Sequence, residues 1–237
     1  MNASVQAISF PTIIWAFVPA AFVVAVLVRW TSAAKTAVYG MARMLIQLLL
    51  IGYVLVFIFE AERAWIIAGV LAVMLIAASV IAVRPIRSKG PTVLRNAFIA
   101  IFIGGVSTLA LITQVVIDIE PWFLPRYMVP LAGMAFSGSM NAVSLAAERL
   151  ESELARSVEF TEARAIALNA SLIPLINSLF AVGLVSLPGM MTGQILSGIS
   201  PIIAAKYQIV VMCMLVGAAG ISATTYLTLA KRRAGIA

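Results

Sequence analysis

Three polar clusters interrupt an otherwise apolar chain and supply groups that could meet a solute. Ser137-Gly138-Ser139-Met140-Asn141 offers two hydroxyls and an amide, and Asn177-Ser178 repeats that pairing. Pro188-Gly189-Met190-Met191-Thr192-Gly193-Gln194 adds an amide, a hydroxyl and two thioethers. In an apolar span such groups bond to other helices or line a route through the bilayer. Thioethers can also ligate a soft metal, although filling irregular gaps is the commoner use of Met. None of these is a catalytic set. The chain has no His and neither G-x-S-x-G nor H-E-x-x-H, so a nucleophile would lack its base. The last apolar run, 207–230, has no Lys, which excludes a retinal Schiff base. G-x-x-x-x-G-K-[ST] is absent, and with it the loop that cradles nucleotide phosphates. One cysteine, Cys213, without His excludes an internal disulfide and a His/Cys metal site, so no metal ligand set is assigned. The chain alone is read as non-catalytic.

The elements that must hold these clusters are membrane helices. Of 237 residues, 63% are hydrophobic and 11% charged, and mean hydropathy is +1.10. Soluble domains carry about 25% charged residues. The fold class expected is an all-α integral membrane bundle of about seven transmembrane helices, in one domain. The runs fall at 10–28, 37–59, 64–83, 97–117, 127–147, 171–187 and 207–230, most near the ~20 residues that cross hydrocarbon. With the N-terminus outside, twelve Lys and Arg lie on the inner side, from Arg29 to Arg233. The outer side holds three, Arg63, Arg126 and Lys206. That bias gives a multi-pass protein of the inner (plasma) membrane, N-terminus outside and C-terminus cytoplasmic. The net charge of +7 does not imply nucleic acid, because the cations cap apolar runs instead of sharing a face. The first ten residues carry no Lys or Arg, so the first run reads as a retained span and not a signal peptide.

Arg43 is the one charge well inside a run, with Gln47 one turn on. Both are candidates for a translocation path. A side chain snorkelling to the inner headgroups is the simpler account of Arg43. The longest hydrophilic stretch, 146–171, holds five Glu and three Arg. Arg149–Glu153, Glu153–Arg156 and Arg156–Glu159 are spaced for ion pairs, and Leu150, Leu154 and Val158 form an apolar stripe. One or two amphipathic helices over 148–168 are expected. Their stripe packs either under the bundle or against a cytoplasmic partner. The Pro188-Gly189 break is expected to end the sixth span and to start a segment, 188–200, that either folds back as a re-entrant outer piece or only packs beside a surface loop. Its Gly189-x-x-x-Gly193 spacing would let two backbones approach.

Here the residues resemble a known family. "ARMLIQLLLIGYVL" (42–55), "LAGMAFSGSMNAVSLAAERLESEL" (131–154) and above all "LIPLINSLFAVGLVSLPGMMTGQILSGISPIIAAKYQIVVM" (172–212) look like the ABC-transporter permeases that include bacterial FetB iron exporters and plant aluminium-sensitive proteins. The resemblance covers about 36–230. It implies a permease subunit of an exporter, of metal ions such as iron. It also implies a separate cytoplasmic ATPase carrying ATP and Mg, and a second copy of the permease within the lipid bilayer. The charged stretch becomes the coupling region, with Arg149, Leu150, Leu154, Arg156, Val158, Glu162, Ala163 and Arg164 as its contacts; Glu162, Ala163, Leu168 and Ala170 match the family's pattern and Asn169 replaces a Gly. The path candidates are Arg43, Gln47, Ser137, Asn141, Asn177, Ser178, Pro188, Met190, Met191 and Gln194. Metal exporters of the family tend to carry Asp-Ser-x-Lys where this chain reads Asn177-Ser178-Leu179-Phe180, so a carboxylate and a lysine are missing from that path. The alternative is a membrane scaffold or sensor that recruits a partner through 148–168. An ion-coupled carrier is disfavoured, because no Asp or Glu stands inside a run.

Overall fold

A computed structural model describes residues 9–60 and 63–233; most of the cation-free leader stretch lies outside the described residues. The chain divides into two compact units after Glu60. The first holds α1 (Pro11–Trp30) and α2 (Ala34–Phe59). Thr31 ends α1 in extended backbone, where its hydroxyl donates to the Leu27 carbonyl at 3.1 Å. The Ala33 N–H donates back to that hydroxyl at 3.2 Å, which satisfies groups a helix end leaves open.

The second unit holds α3 (Ala64–Ala82), α4 (Pro91–Val116), α5 (Pro125–Ala155), α6 (Phe160–Ala181), the short α7 (Gly189–Leu196) and α8 (Pro201–Arg233). Seven of the eight helices are long and apolar enough to cross a bilayer, and no strand occurs among the described residues. The protein is an all-α integral membrane bundle, as its hydropathy requires: in lipid the backbone must satisfy its own hydrogen bonds.

Helix bounds depart from the hydropathy in one consistent way. α4, α5, α6 and α8 begin at Pro91, Pro125, Phe160 and Pro201, ahead of the apolar runs expected from 97, 127, 171 and 207. Hydropathy stops where charges begin, whereas backbone hydrogen bonding continues past the apolar core. Three of these starts are prolines, whose fixed φ and missing N–H suit the first helical position. Gly90-Pro91 therefore opens a helix. The sixth span is the exception at its other end. α6 stops at Ala181, not 187, because Val182 turns extended and Gly183 takes φ +83, a left-handed conformation that glycine adopts readily. The Gly183 N–H closes the turn on the Ser186 carbonyl at 2.9 Å. Pro188 then caps α7.

The charged stretch is likewise not a helix of its own. α5 runs to Ala155 and α6 starts at Phe160, joined by a tight turn in which Ser157 has φ +63. Arg156 belongs to that turn, so neither Glu153–Arg156 nor Arg156–Glu159 forms. Arg149–Glu153 does, at 2.6 Å, and is the single ion pair among the described residues.

Small residues set the core. Ala142, Ala146 and Leu150 of α5, Ala163 and Ala167 of α6, and Ala219, Ala223 and Leu227 of α8 are all buried in one cluster. Each set repeats every fourth residue, so three ridges of alanine let the helices approach closely. α4 meets α8 closer still. A Cβ on Gly104 would stand 2.2 Å from the Ser222 Oγ and 2.7 Å from the Ala218 carbonyl oxygen. This contact sits in the first of two π-helical turns of α4, Phe102–Val106 and Ile112–Val116. By contrast, nothing lies within 4 Å of a Cβ built on Gly189 or Gly193, so the expected backbone approach at that G-x-x-x-G does not occur among the described residues.

Candidate functional site

The polar clusters converge where helical periodicity brings α5, α6 and α8 together. On α5, Met134, Ser137 and Asn141 share a face; on α6, Ser171, Leu175 and Ser178 do the same. Between them lies a crevice of about 290 Å³, with Leu215 and Ala219 of α8 contributing its third wall. A second crevice of about 330 Å³ extends it past Met134, Ser178 and Leu215 to Ser186, Pro188, Met190, Gln208 and Met212. The two share Met134, Leu175, Ser178 and Leu215 and are taken together as one track; a third crevice adjoins the second through Val182, Gln208 and Met212. No charged side chain lines either part.

Three of the hydroxyl protons along this track are already committed. Ser137 Oγ donates to the Met134 carbonyl at 3.1 Å, Ser171 Oγ to the Leu168 carbonyl at 2.8 Å and Ser178 Oγ to the Pro174 carbonyl at 2.9 Å. What remains on each oxygen is acceptor capacity. Asn141 and Gln208 add amide donors and Ser186 a hydroxyl, so the walls are polar, uncharged and offer both acceptors and donors. Ser139, two residues from Ser137, is fully buried and donates across to the Ala218 carbonyl at 3.1 Å, so it holds helices together instead of lining the track.

The α5–α6 turn ends the same two helices. Leu150 and Ala163 are buried in the alanine core, and Val158 packs against it half-buried. Leu154, Arg156, Glu162 and Arg164 are exposed. The expected stripe thus splits: Leu150 and Val158 pack on the alanine core, whereas Leu154 is exposed just before the turn. Glu153 is buried beside the half-buried Arg149. Glu151 reaches sideways and accepts the N–H groups of Arg87 and Ser88, both at 2.8 Å, which ties the basic 83–90 loop to this end of the bundle. The exposed Glu159 caps α6 by accepting the Thr161 N–H at 3.1 Å. That N–H, with the Thr161 hydroxyl, holds the Glu159 carboxyl below its ordinary range.

Of the path candidates, Ser137, Asn141, Ser178, Pro188 and Met190 line the track. Asn177 is exposed and lines neither part, while Met191 lines the third crevice, beside Val182, Gln208 and Met212. Gln194 is half-buried with its Oε1 unpaired among the described residues, and lines neither part. Arg43 and Gln47 stand exposed on α2 of the first unit.

Comparison with known proteins fits this architecture. The family model described as "Uncharacterised protein family (UPF0014)" matches residues 11–234. The chain belongs to the UPF0014 family. Among UPF0014 relatives, the probable iron export permease protein FetB of Escherichia coli (strain K12) is 34% identical over 215 residues, covering 83% of this chain and 81% of that one. Protein ALUMINUM SENSITIVE 3 of Arabidopsis thaliana is 35% identical, covering 79% of this chain and 73% of its own. A UPF0014 membrane protein of Synechocystis is 34% identical over 80% of each chain. No solved structure matches. Sequence reasoning about this UPF0014 chain missed Met134, Gln208 and Met212 as lining residues. Gln208 and Met212 are spaced i,i+4 at the start of the last span, a signal that was present but lay outside any polar cluster.

Proposed function

We propose that this multi-pass membrane protein is the permease subunit of an ATP-driven exporter of metal cations. The observation that carries this reading is the double role of α5 and α6. Their middle stretches wall the track, and their ends form the exposed, charged turn. A push on the turn is therefore a push on the walls, since packed helices move as rigid elements. In this reading a separate cytoplasmic ATPase holds ATP and Mg and docks on Leu154, Arg156, Glu162 and Arg164. Two permease copies assemble with two ATPases in the inner membrane, N-terminus outside. The acceptor oxygens left on Ser137, Ser171 and Ser178 are compatible with a cation as passenger, and the printed name of FetB points the same way.

The test is co-purification with an ATPase encoded beside this chain, then ATP hydrolysis of the reconstituted complex against a panel of metal ions. A stable complex with ion-stimulated hydrolysis is expected. The double variant Arg156→Glu/Glu162→Lys should lose the complex while keeping its melting temperature. Failure of the wild-type chain to hold any ATPase would refute the permease reading in favour of a scaffold.

A further inference from the structure

The far end of the track concentrates sulfur around one unsatisfied amide. Gln208 is 6% exposed, and its Oε1 has no hydrogen-bond partner among the described residues. A buried amide oxygen left so is destabilising, and its negative end is satisfied by a donor or a cation. Met212 stands one turn on along the same face of α8, and Met134 from α5 and Met190 from α7 line the same crevice. Three helices thus bring three thioethers to one space with a carbonyl-type oxygen. No carboxylate, imidazole or thiol lines that space.

This donor set discriminates between cations. A hard divalent ion binds through several oxygen ligands, carboxylates prominent among them, and gives up its water reluctantly. Thioethers are neutral and polarizable and select soft ions such as Cu(I). A monovalent ion also imposes the smallest uncompensated charge on a low-dielectric site.

We propose that Met134, Met190, Met212 and Gln208 form a binding station for a soft monovalent cation of the Cu(I)/Ag(I) kind. Binding is by coordination alone; no electron is transferred and no bond is broken. As a station for a transported ion the site rests on the permease reading, whereas as a binding site it does not.

The experiment is anaerobic titration of the detergent-purified full chain with Ag(I) by calorimetry, and with Cu(I) against a chromogenic chelator. One ion per chain is expected. The variant Met134→Leu/Met190→Leu/Met212→Leu keeps side-chain volume and should keep its melting temperature. It should lose affinity by about tenfold or more, a typical penalty when even an outer-shell partner of a metal is removed. Cys213→Ser should still bind one ion; the exposed Cys213 thiol is itself a soft ligand in the crevice that adjoins this one through Gln208 and Met212, and any further ion held by the wild type is its own. Equal binding by the triple variant, loss of binding in Cys213→Ser, or equal competition by Fe(II) would each overturn the proposal. Because binding is read on the chain alone, the two readings fail separately. An absent ATPase complex with intact Ag(I) binding removes the permease reading and upholds the site; an ATPase complex with no Ag(I) binding does the reverse.

Discussion

Replacing Gly104 by alanine should destabilise the bundle more than any other glycine-to-alanine change in it. The added Cβ would stand 2.2 Å from Ser222 Oγ, 2.6 Å from Ser222 N and 2.7 Å from the Ala218 oxygen. Two of these three atoms are backbone and cannot rotate away. Ordinary carbon contacts lie at about 3.5–4.0 Å, so α4 and α8 must part by roughly 1 Å. Overpacking of this kind costs about 1–3 kcal/mol, and the backbone contacts place Gly104→Ala toward the top of that range. For a chain of this size each kcal/mol is about 2–4 °C of melting temperature, so a fall of roughly 5–10 °C is expected. The assay is thermal unfolding in detergent followed by tryptophan fluorescence. Gly193→Ala is the matched control: nothing lies within 4 Å of its added methyl, and α7 gains up to about 1 kcal/mol of helix propensity. If Gly104→Ala melts with the wild type, the close contact between α4 and α8 is refuted.

Other expectations concern the turn and the track. Glu151→Ala removes the acceptor of two N–H groups, and amide exchange at Arg87 and Ser88 should quicken by about 5–30-fold, the equivalent of about 1–2 kcal/mol; unchanged exchange would show that the loop is held otherwise. The lowered Glu159 carboxyl makes its cap complete at neutral pH, to be lost only as pH falls through the depressed folded value. The Thr161 amide shift should therefore titrate below the ordinary carboxylate range, and should not titrate with this group in Glu159→Gln. Asn141→Leu should lower ion-stimulated hydrolysis by up to about tenfold, one polar contact of about 0.5–1.5 kcal/mol, and Asn177→Leu should leave it unchanged; the opposite order would move the path to the other face of α6.

The spans were legible because the bilayer imposes a length that any apolar run must meet. The Arg149–Glu153 pair was legible because it lies within one helix, where i,i+4 spacing fixes the neighbour. Periodicity failed at Leu154, which is exposed, because the pattern runs into a turn that only Ser157 in its left-handed conformation reveals. It failed again at Gly104 and Ser222, whose meeting depends on the register of helices far apart in the chain. The G-x-x-x-G at 189–193 shows the converse. Small residues permit close approach, but the partner backbone went elsewhere. Ser137, Asn141 and Ser178 could be grouped by polarity, whereas Gln208 stood among apolar neighbours and gained meaning only from its burial.

The π turns of α4 have a consequence for how this chain can vary in length. A π turn accommodates one more residue than an α turn while the helix before and after it keeps the same phase. Losing one residue from 102–106 or 112–116 would therefore leave an ordinary helix with its downstream faces unmoved. The same loss at 93–97 would swing every later side chain of α4 by about 100°. Indels among homologues, or scanning deletions in the laboratory, should accordingly be tolerated at those two windows and nowhere else along the helix.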